Sequence, residues 1–262
     1  MEFPTPTPSL PRAADTPREA APPWAPPTLR AVCLDIDDTL VDFTAASRRA
    51  LAALIGRADM WPLWEDLTEA HVAMVVRGEM AYEMMHQRRT ACFLAELGVL
   101  AEHTHVTEFE RQRRALAEAG WGLFADVLPC LEWLAAAGVR VAAVTNASGR
   151  HQRRKLADLG LAEYFDHVAV AGELGAAKPD PVIFDTVCRE LGCLPSEAAH
   201  IGDKLETDAR GARDAGLAGV WLSRSGAAAT GDEPDVHVIN SLEQLPELLV
   251  AEFVRVGEPV AG

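Results

Sequence analysis

Three carboxylates and a hydroxyl follow a short apolar run in Ala31-Val32-Cys33-Leu34-Asp35-Ile36-Asp37-Asp38-Thr39-Leu40. A buried strand reads this way when it delivers acidic side chains to the end of a sheet. Asp35 and Asp37 are two apart, so on a strand they share a face. Two carboxylates held close repel each other unless a cation lies between them or one takes a proton. A magnesium ion with a split of roles removes that cost: one carboxylate is nucleophile and metal ligand, the other carries a proton. A plain polar turn after a strand is the competing reading. A calcium-binding EF-hand loop fits poorly, because it needs Gly at its sixth position and Leu40 stands there.

Three later stretches carry similar chemistry. Thr145-Asn146-Ala147-Ser148 is a small polar turn, where a hydroxyl, backbone N–H groups and a helix N-terminus suit an anion, or simply cap the helix. Lys178 precedes Pro179-Asp180-Pro181, with Asp180 as N-cap and Pro181 as first helical residue. That stiff start fixes where Lys178 points, which suits it to pair with a phosphate and a nucleophilic carboxylate. Gly202-Asp203-Lys204-Leu205-Glu206-Thr207-Asp208 places Asp203 at a strand end and Asp208 in the first turn of a helix. Asp203 would complete an oxygen shell with Asp35, although acidic residues also favour helix N-termini for the dipole alone.

The elements that must position these groups are legible from periodicity. A first strand covers about 31–35, and helical spacing over 45–55, 63–76, 80–97 and 108–119 predicts an all-helical insert of residues 43–124. Thr107 followed by Glu110 reads as a capping box opening its last helix. Strands and helices then alternate: helix 131–137, strand 139–144, helix 150–159, strand 167–170, helix 181–191, strand 199–202, helix 207–215 and strands 220–222 and 236–239. A final helix opens at Ser241 and Gln244. This predicts an α/β fold with a doubly wound, mostly parallel sheet built from 30–42 and 125–250, preceded by a Pro-rich disordered leader (1–29) and followed by a tail (251–262). Ligands of such sheets bind at the carboxyl ends of the strands, where all four stretches fall.

Composition narrows the partners. A formal net charge of −15 over 262 residues argues against a nucleic-acid or anionic-membrane partner, since both need a basic face. No apolar run reaches the roughly 18–20 residues of a membrane span, and the N-terminus has no secretory-signal pattern. Five scattered cysteines without metal-type spacing read as free thiols in a reducing cytoplasm.

Asp-x-Asp-x-Thr, Thr-Asn, Lys-Pro-Asp-Pro and Gly-Asp-x-x-x-x-Asp, in that order, resemble the motifs of the haloacid dehalogenase-like (HAD) hydrolase superfamily from Ala31 onward. The insert resembles that family's small α-helical cap. The resemblance implies a Rossmann-like core and a Mg2+-dependent phosphatase acting through an aspartyl phosphate. It implies that Asp35 attacks phosphorus, and that Asp37 protonates the leaving alcohol and then activates water. Asp35, the backbone carbonyl of Asp37 and Asp203 would bind the metal. Thr145, Asn146 and Lys178 would hold the phosphate, with Thr39 and Asp208 supporting them. Asp37 marks the phosphatase branch, since the dehalogenases lack that second carboxylate. Asp38 stands where many relatives carry Gly. Asp or Asn there occurs among nucleotide, flavin mononucleotide and acylneuraminate phosphatases, so the expected partner is a small phosphorylated metabolite of those classes or a sugar phosphate.

Other polar residues read as structural. His103 and His105 are expected in a surface loop, Arg88 and Arg89 on a solvated face, Trp61 and Trp64 in the insert's core, and His200 inside a buried strand. The rival functions are a phosphomutase of the same superfamily and a non-catalytic phospholigand-binding protein. A response-regulator receiver domain is excluded by an acidic first strand followed by a helical insert.

Overall fold

The computed structural model describes residues 28–147, 149–226, 235–253 and 255–256. Ser148, Trp24 with the rest of the expected leader through residue 27, and residues 257–262 of the expected tail lie outside the described residues. The chain opens with β1 (Thr28–Leu29) and β2 (Ala31–Leu34), followed by the insert helices α1 (Phe43–Ile55), α2 (Trp61–Val76), α3 (Tyr82–Glu96) and α4 (His103–Ala119). Next come α5 (Val127–Ala136), β3 (Arg140–Thr145), α6 (Gly149–Asp158), β4 (His167–Val170), α7 (Ala171–Leu174) and α8 (Pro181–Leu191). After β5 (Ala198–Gly202), a π-helical stretch (Leu205–Arg210) runs into α9 (Gly211–Asp214). Then β6 (Ala218–Leu222), β7 (Val236–Ile239), α10 (Leu245–Glu252) and β8 (Arg255–Val256) complete the described chain.

Six strands form one parallel sheet in the order β4-β3-β2-β5-β6-β7. The strand written Ala-Val-Cys-Leu is fully buried because both of its faces are covered. Val32 and Leu34 join the layer made with Leu131 and Leu134 of α5 and Leu245 and Leu249 of α10. Ala31 and Cys33 point the other way, into the layer made with Ile183, Phe184 and Val187 of α8. The sheet is therefore wound on both sides of β2, and the winding direction reverses between β2 and β5. The crevice at that reversal is where a doubly wound sheet binds its ligand.

The insert leaves and rejoins the sheet at one place. Val41 bridges Leu123, Asp42 N–H donates to Gly122 O at 2.9 Å, and Phe124 N–H donates to Leu40 O at 3.2 Å. Its own core gathers Leu51, Trp64 and Phe93, the two rings meeting edge to face at 5.0 Å.

Four differences from the sequence reading have physical causes. Helix α4 begins at His103, not at a Thr107/Glu110 capping box: the Thr107 hydroxyl donates to His103 O, and Glu110 is turned inward as an ion-pair partner. His103 and His105 accordingly lie on that helix, exposed, and not in a loop. Helix α7 has only four residues, too short to leave a periodic signal. Finally, Leu29 and Phe253 are buried and β1 pairs with β8, so the edges expected at 29 and 251 fall within packed structure.

Candidate active site

Asp35 is the residue after β2, and its N–H donates to Ile201 O on the neighbouring β5 at 2.9 Å. The chain then turns sharply. Asp38 takes a left-handed conformation with φ 61°, one that Asp tolerates better than most side chains, and this accounts for a position that Gly would also fill. Its carboxylate is spent on the start of α1, accepting from Thr44 N–H at 2.8 Å and Thr44 Oγ1 at 2.6 Å. Thr39 is buried in the same turn, and Arg224 donates to its carbonyl at 2.7 Å.

Lys178 is nearly inaccessible, and its ammonium bridges two carboxylates: Asp35 Oδ1 at 2.7 Å and Asp208 Oδ1 at 2.6 Å, with Val144 O at 2.8 Å. Burial opposes a charged lysine, yet Asp208 and Asp35 outweigh it and raise its pKa. The backbone of Lys178 is clamped from β3's end. Asn146 Oδ1 accepts its N–H at 2.8 Å, and Asn146 Nδ2 donates to its carbonyl at 2.9 Å. The peptide to Pro179 is cis, and Asp180 Oδ1 caps α8 by accepting from Val182 N–H at 3.0 Å. Thr145, buried beside Asn146, accepts from Ala147 N–H through its hydroxyl at 3.1 Å.

Across the crevice, β5 ends at Gly202. A Cβ there would collide with the carboxyl of Asp208, so glycine is what lets that side chain fold back over the strand. Asp208 accepts from Lys204 N–H at 3.0 Å and lies 3.1 Å from His200 Nε2. Burial alone would raise it, but Lys178 and His200 hold it well below the usual carboxylate range. Oxygens of Asp35, Asp203 and Asp208 all lie within 4.8 Å of one another. Burial first, then the charges of Asp208 and Asp203, push Asp35 up to about 8 against the opposing pull of Lys178. Burial likewise pushes Asp203 up to about 6. An all-oxygen donor set under electrostatic strain suits a hard divalent cation such as Mg2+. Both oxygens of Asp208 are committed, to Lys178, His200 and the Lys204 N–H, whereas Asp35 is held through Oδ1 alone and Asp203 pairs only with the exposed Lys204 ammonium at 3.3 Å, so these two are the side chains placed to face such an ion.

Asp37 points away from this cluster into a cleft of about 130 Å3 that runs under the insert helices. There it meets two residues the sequence reading passed over. Lys155 Nζ forms a short ion pair with Asp37 Oδ1, and Gln152 Nε2 donates to Asp37 Oδ2 at 2.7 Å. The ammonium also sits 4.8 Å from the Phe43 ring centre and 4.7 Å from that of Trp121. A signal existed: Gln152, Lys155 and Leu156 share one face of α6 at helical spacing.

Arg89 corrects a further expectation. It is buried, not solvated, because it stacks 4.1 Å over the Trp64 ring and pairs with Glu110 at 3.1 Å. Arg88 is exposed, Trp64 is core and Trp61 packs half-buried beside it.

Comparison with known proteins gives the family and the fold. The haloacid dehalogenase-like hydrolase model matches residues 29–216. N-acylneuraminate-9-phosphatase of Rattus norvegicus is 31% identical over 234 residues, covering 84% of this chain and 94% of the relative. Glyceraldehyde 3-phosphate phosphatase of Methanopyrus kandleri is 32% identical over 200 residues, covering 75% and 84% respectively. The magnesium-bound HAD-hydrolase YfnB of Bacillus subtilis superimposes with a TM-score of 0.72 at 25% identity, covering 85% of this chain and 99% of that one. With an acidic first strand, a bridging lysine and an acidic fourth motif in one crevice, the chain belongs to the haloacid dehalogenase-like hydrolase family.

Proposed function

We propose that this HAD-like phosphoric monoester hydrolase releases phosphate from a small metabolite by way of an aspartyl phosphate on Asp35, with Mg2+ as cofactor. The observation that carries the reading is Lys178 Nζ between Asp35 and Asp208, with Asp203 within 4.8 Å. Asp35 is the buried carboxylate at the switch point, and its Oδ1 is oriented by the lysine. It attacks phosphorus and the leaving oxygen departs toward Asp37. Asp37 donates a proton to that oxygen and then takes one from the water that hydrolyses the intermediate. Thr145 and the N–H of Asn146 hold the phosphoryl oxygens, and Lys178 offsets charge on phosphate and nucleophile. Asp35, the carbonyl of Asp37 and Asp203 would hold the metal, which supplies charge neutralisation for the phosphoryl group. Asp208, with Thr39 behind the first turn, keeps Lys178 and Asp35 in place.

In this reading residues 43–124 are the cap over the sheet and its flanking helices, and the leaving group lies in the cleft beneath. The substrate class is a nucleotide, flavin mononucleotide, acylneuraminate or sugar phosphate. The rat relative, an N-acylneuraminate-9-phosphatase, supports its acylneuraminate member. Phosphate release from para-nitrophenyl phosphate and from that panel, with Mg2+ and with EDTA, tests the proposal. Turnover that needs Mg2+ and disappears in Asp35→Asn is expected. Turnover surviving that substitution would remove the nucleophile assignment.

A further inference from the structure

The cleft that begins at Asp37 ends against a concentration of positive charge. Arg113 and Arg114 of α4 line it, and Arg89 stands behind them. All three guanidiniums converge on a single carboxylate, Glu110, at 3.1, 2.8 and 3.0 Å for Arg89, Arg113 and Arg114. Glu110 is charged: burial opposes it, but hydrogen bonds and charge from Arg113, with Arg89 and Arg114, bring it down to about 2. His86, also on the lining, is neutral at physiological pH, because burial and then Arg114 and Arg89 hold it down at about 4. Lys155 is neutralised by Asp37. The other carboxylate on the lining, Glu118, faces His151 at 3.6 Å. Even with Glu118 counted, three guanidiniums stand against two carboxylates. In a chain of net charge −15 this excess is a local device, not background.

The arginines also hold donors in reserve. Arg113 gives Glu110 its Nε and Nη2, and Arg114 gives its Nε. Among the described residues, Nη1 of Arg113 and both Nη groups of Arg114 have no hydrogen-bond partner, and none of them is sealed from solvent, although the Arg113 guanidinium also lies 5.0 Å from the Trp64 ring centre. Fork-shaped donors pinned by a buried carboxylate are preorganised for a planar anion, which they bind through paired hydrogen bonds.

We propose that Arg113 and Arg114 form the subsite for a carboxylate on the leaving half of the substrate, so that the enzyme prefers phosphorylated hydroxy acids over uncharged phosphorylated alcohols. This rests on the phosphatase reading above, which sets the phosphoryl group at Asp35 and the leaving oxygen at Asp37. The remainder of the molecule then has the cleft of about 130 Å3 to occupy, with the arginines on its lining. Glu110 has the complementary part: it holds the three cations in register and keeps their mutual repulsion from unfolding the insert.

The test compares 3-phosphoglycerate with glycerol 3-phosphate, and phosphoglycolate with ethyl phosphate, with para-nitrophenyl phosphate as reference. The carboxylated member of each pair is expected to have kcat/KM higher by about tenfold or more, since a site with charged donors rejects an analogue that leaves them unpaired. Arg114→Gln narrows the gap chiefly through KM, and Arg114→Lys restores part of it. Arg111→Gln, whose residue pairs with Glu108 on the exposed face of α4, keeps both activity and preference. Equal kcat/KM within each pair, alongside normal para-nitrophenyl phosphate hydrolysis, overturns the subsite alone. No hydrolysis of para-nitrophenyl phosphate by the wild-type enzyme with Mg2+ overturns the phosphatase reading and the subsite with it.

Discussion

Asp37 and Lys155 meet as a half-buried ion pair although 118 positions separate them in the chain, and Gln152 holds the second oxygen of the same carboxylate. Both oxygens of the proposed proton donor are therefore fixed by one face of α6. Lys155→Met keeps the side-chain stem between Phe43 and Trp121 but frees the carboxylate. Turnover of alkyl phosphates is expected to fall roughly 10- to 100-fold. The loss for para-nitrophenyl phosphate is smaller, because that leaving group departs without a proton. Equal losses on both, measured as kcat, would mean a general packing defect and not a positioning role.

Stability without metal is expected to depend on pH in a defined direction. Asp35 and Asp203 are raised to about 8 and about 6 by burial, so the folded state binds protons that the unfolded chain has already released. A raised folded pKa contributes stability below the unfolded value and loses it as pH rises through the folded one. In EDTA, Tm should therefore decline between about pH 6.5 and pH 8, above the range where His86 and His200, both held down by burial, oppose the trend. Mg2+ should raise Tm more at pH 8 than at pH 5, and Asp35→Asn should flatten the decline. A Tm that rises over this interval, measured by calorimetry in the metal-free protein, would contradict the electrostatics assigned here.

Gly202→Ala is expected to cost about 1–3 kcal/mol, because its Cβ enters the space of the Asp208 carboxyl. Activity should fall with it, since Asp208 must shift and Lys178 loses a 2.6 Å partner. Urea titration gives the first effect and phosphate release the second. A variant of normal stability and activity would mean that Asp208 has another way across the strand.

Glu110→Gln removes the one carboxylate among Arg89, Arg113 and Arg114 while keeping its shape. Breaking a buried ion cluster from one side costs about 3–5 kcal/mol. The insert should lose cooperativity before the sheet does, visible as a second transition in Trp fluorescence, where Trp64 reports on the cluster it stacks with.

The sheet and its acidic edge were legible because each rests on local pattern. Ala31–Leu34 is apolar at every position, as a strand covered on both faces must be, and the polar motifs sit at the ends of such runs. The predicted helix 181–191 coincides with α8 because Asp180, Pro181 and Gly192 mark both of its ends chemically. What escaped was set by partners distant in sequence. Arg89 looks solvated until Glu110 arrives from another helix, 21 residues on. Lys155 looks like one of several cations on α6, beside the exposed Arg153 and Arg154, until Asp37 is folded against it. The beginning of α4 was misplaced because Glu110, read as a capping residue, is held by three arginines instead.

The insert's two connections touch: Val41 bridges Leu123 and Asp42 donates to Gly122. Some eighty residues thus hang from a doorway spanned by two backbone hydrogen bonds, and closing it with a short turn would cost the sheet little chain entropy. The helical cassette can consequently be lengthened, exchanged or redesigned with Asp35 and its lysine left in place, and on the proposed function selectivity would then evolve apart from the chemistry it serves.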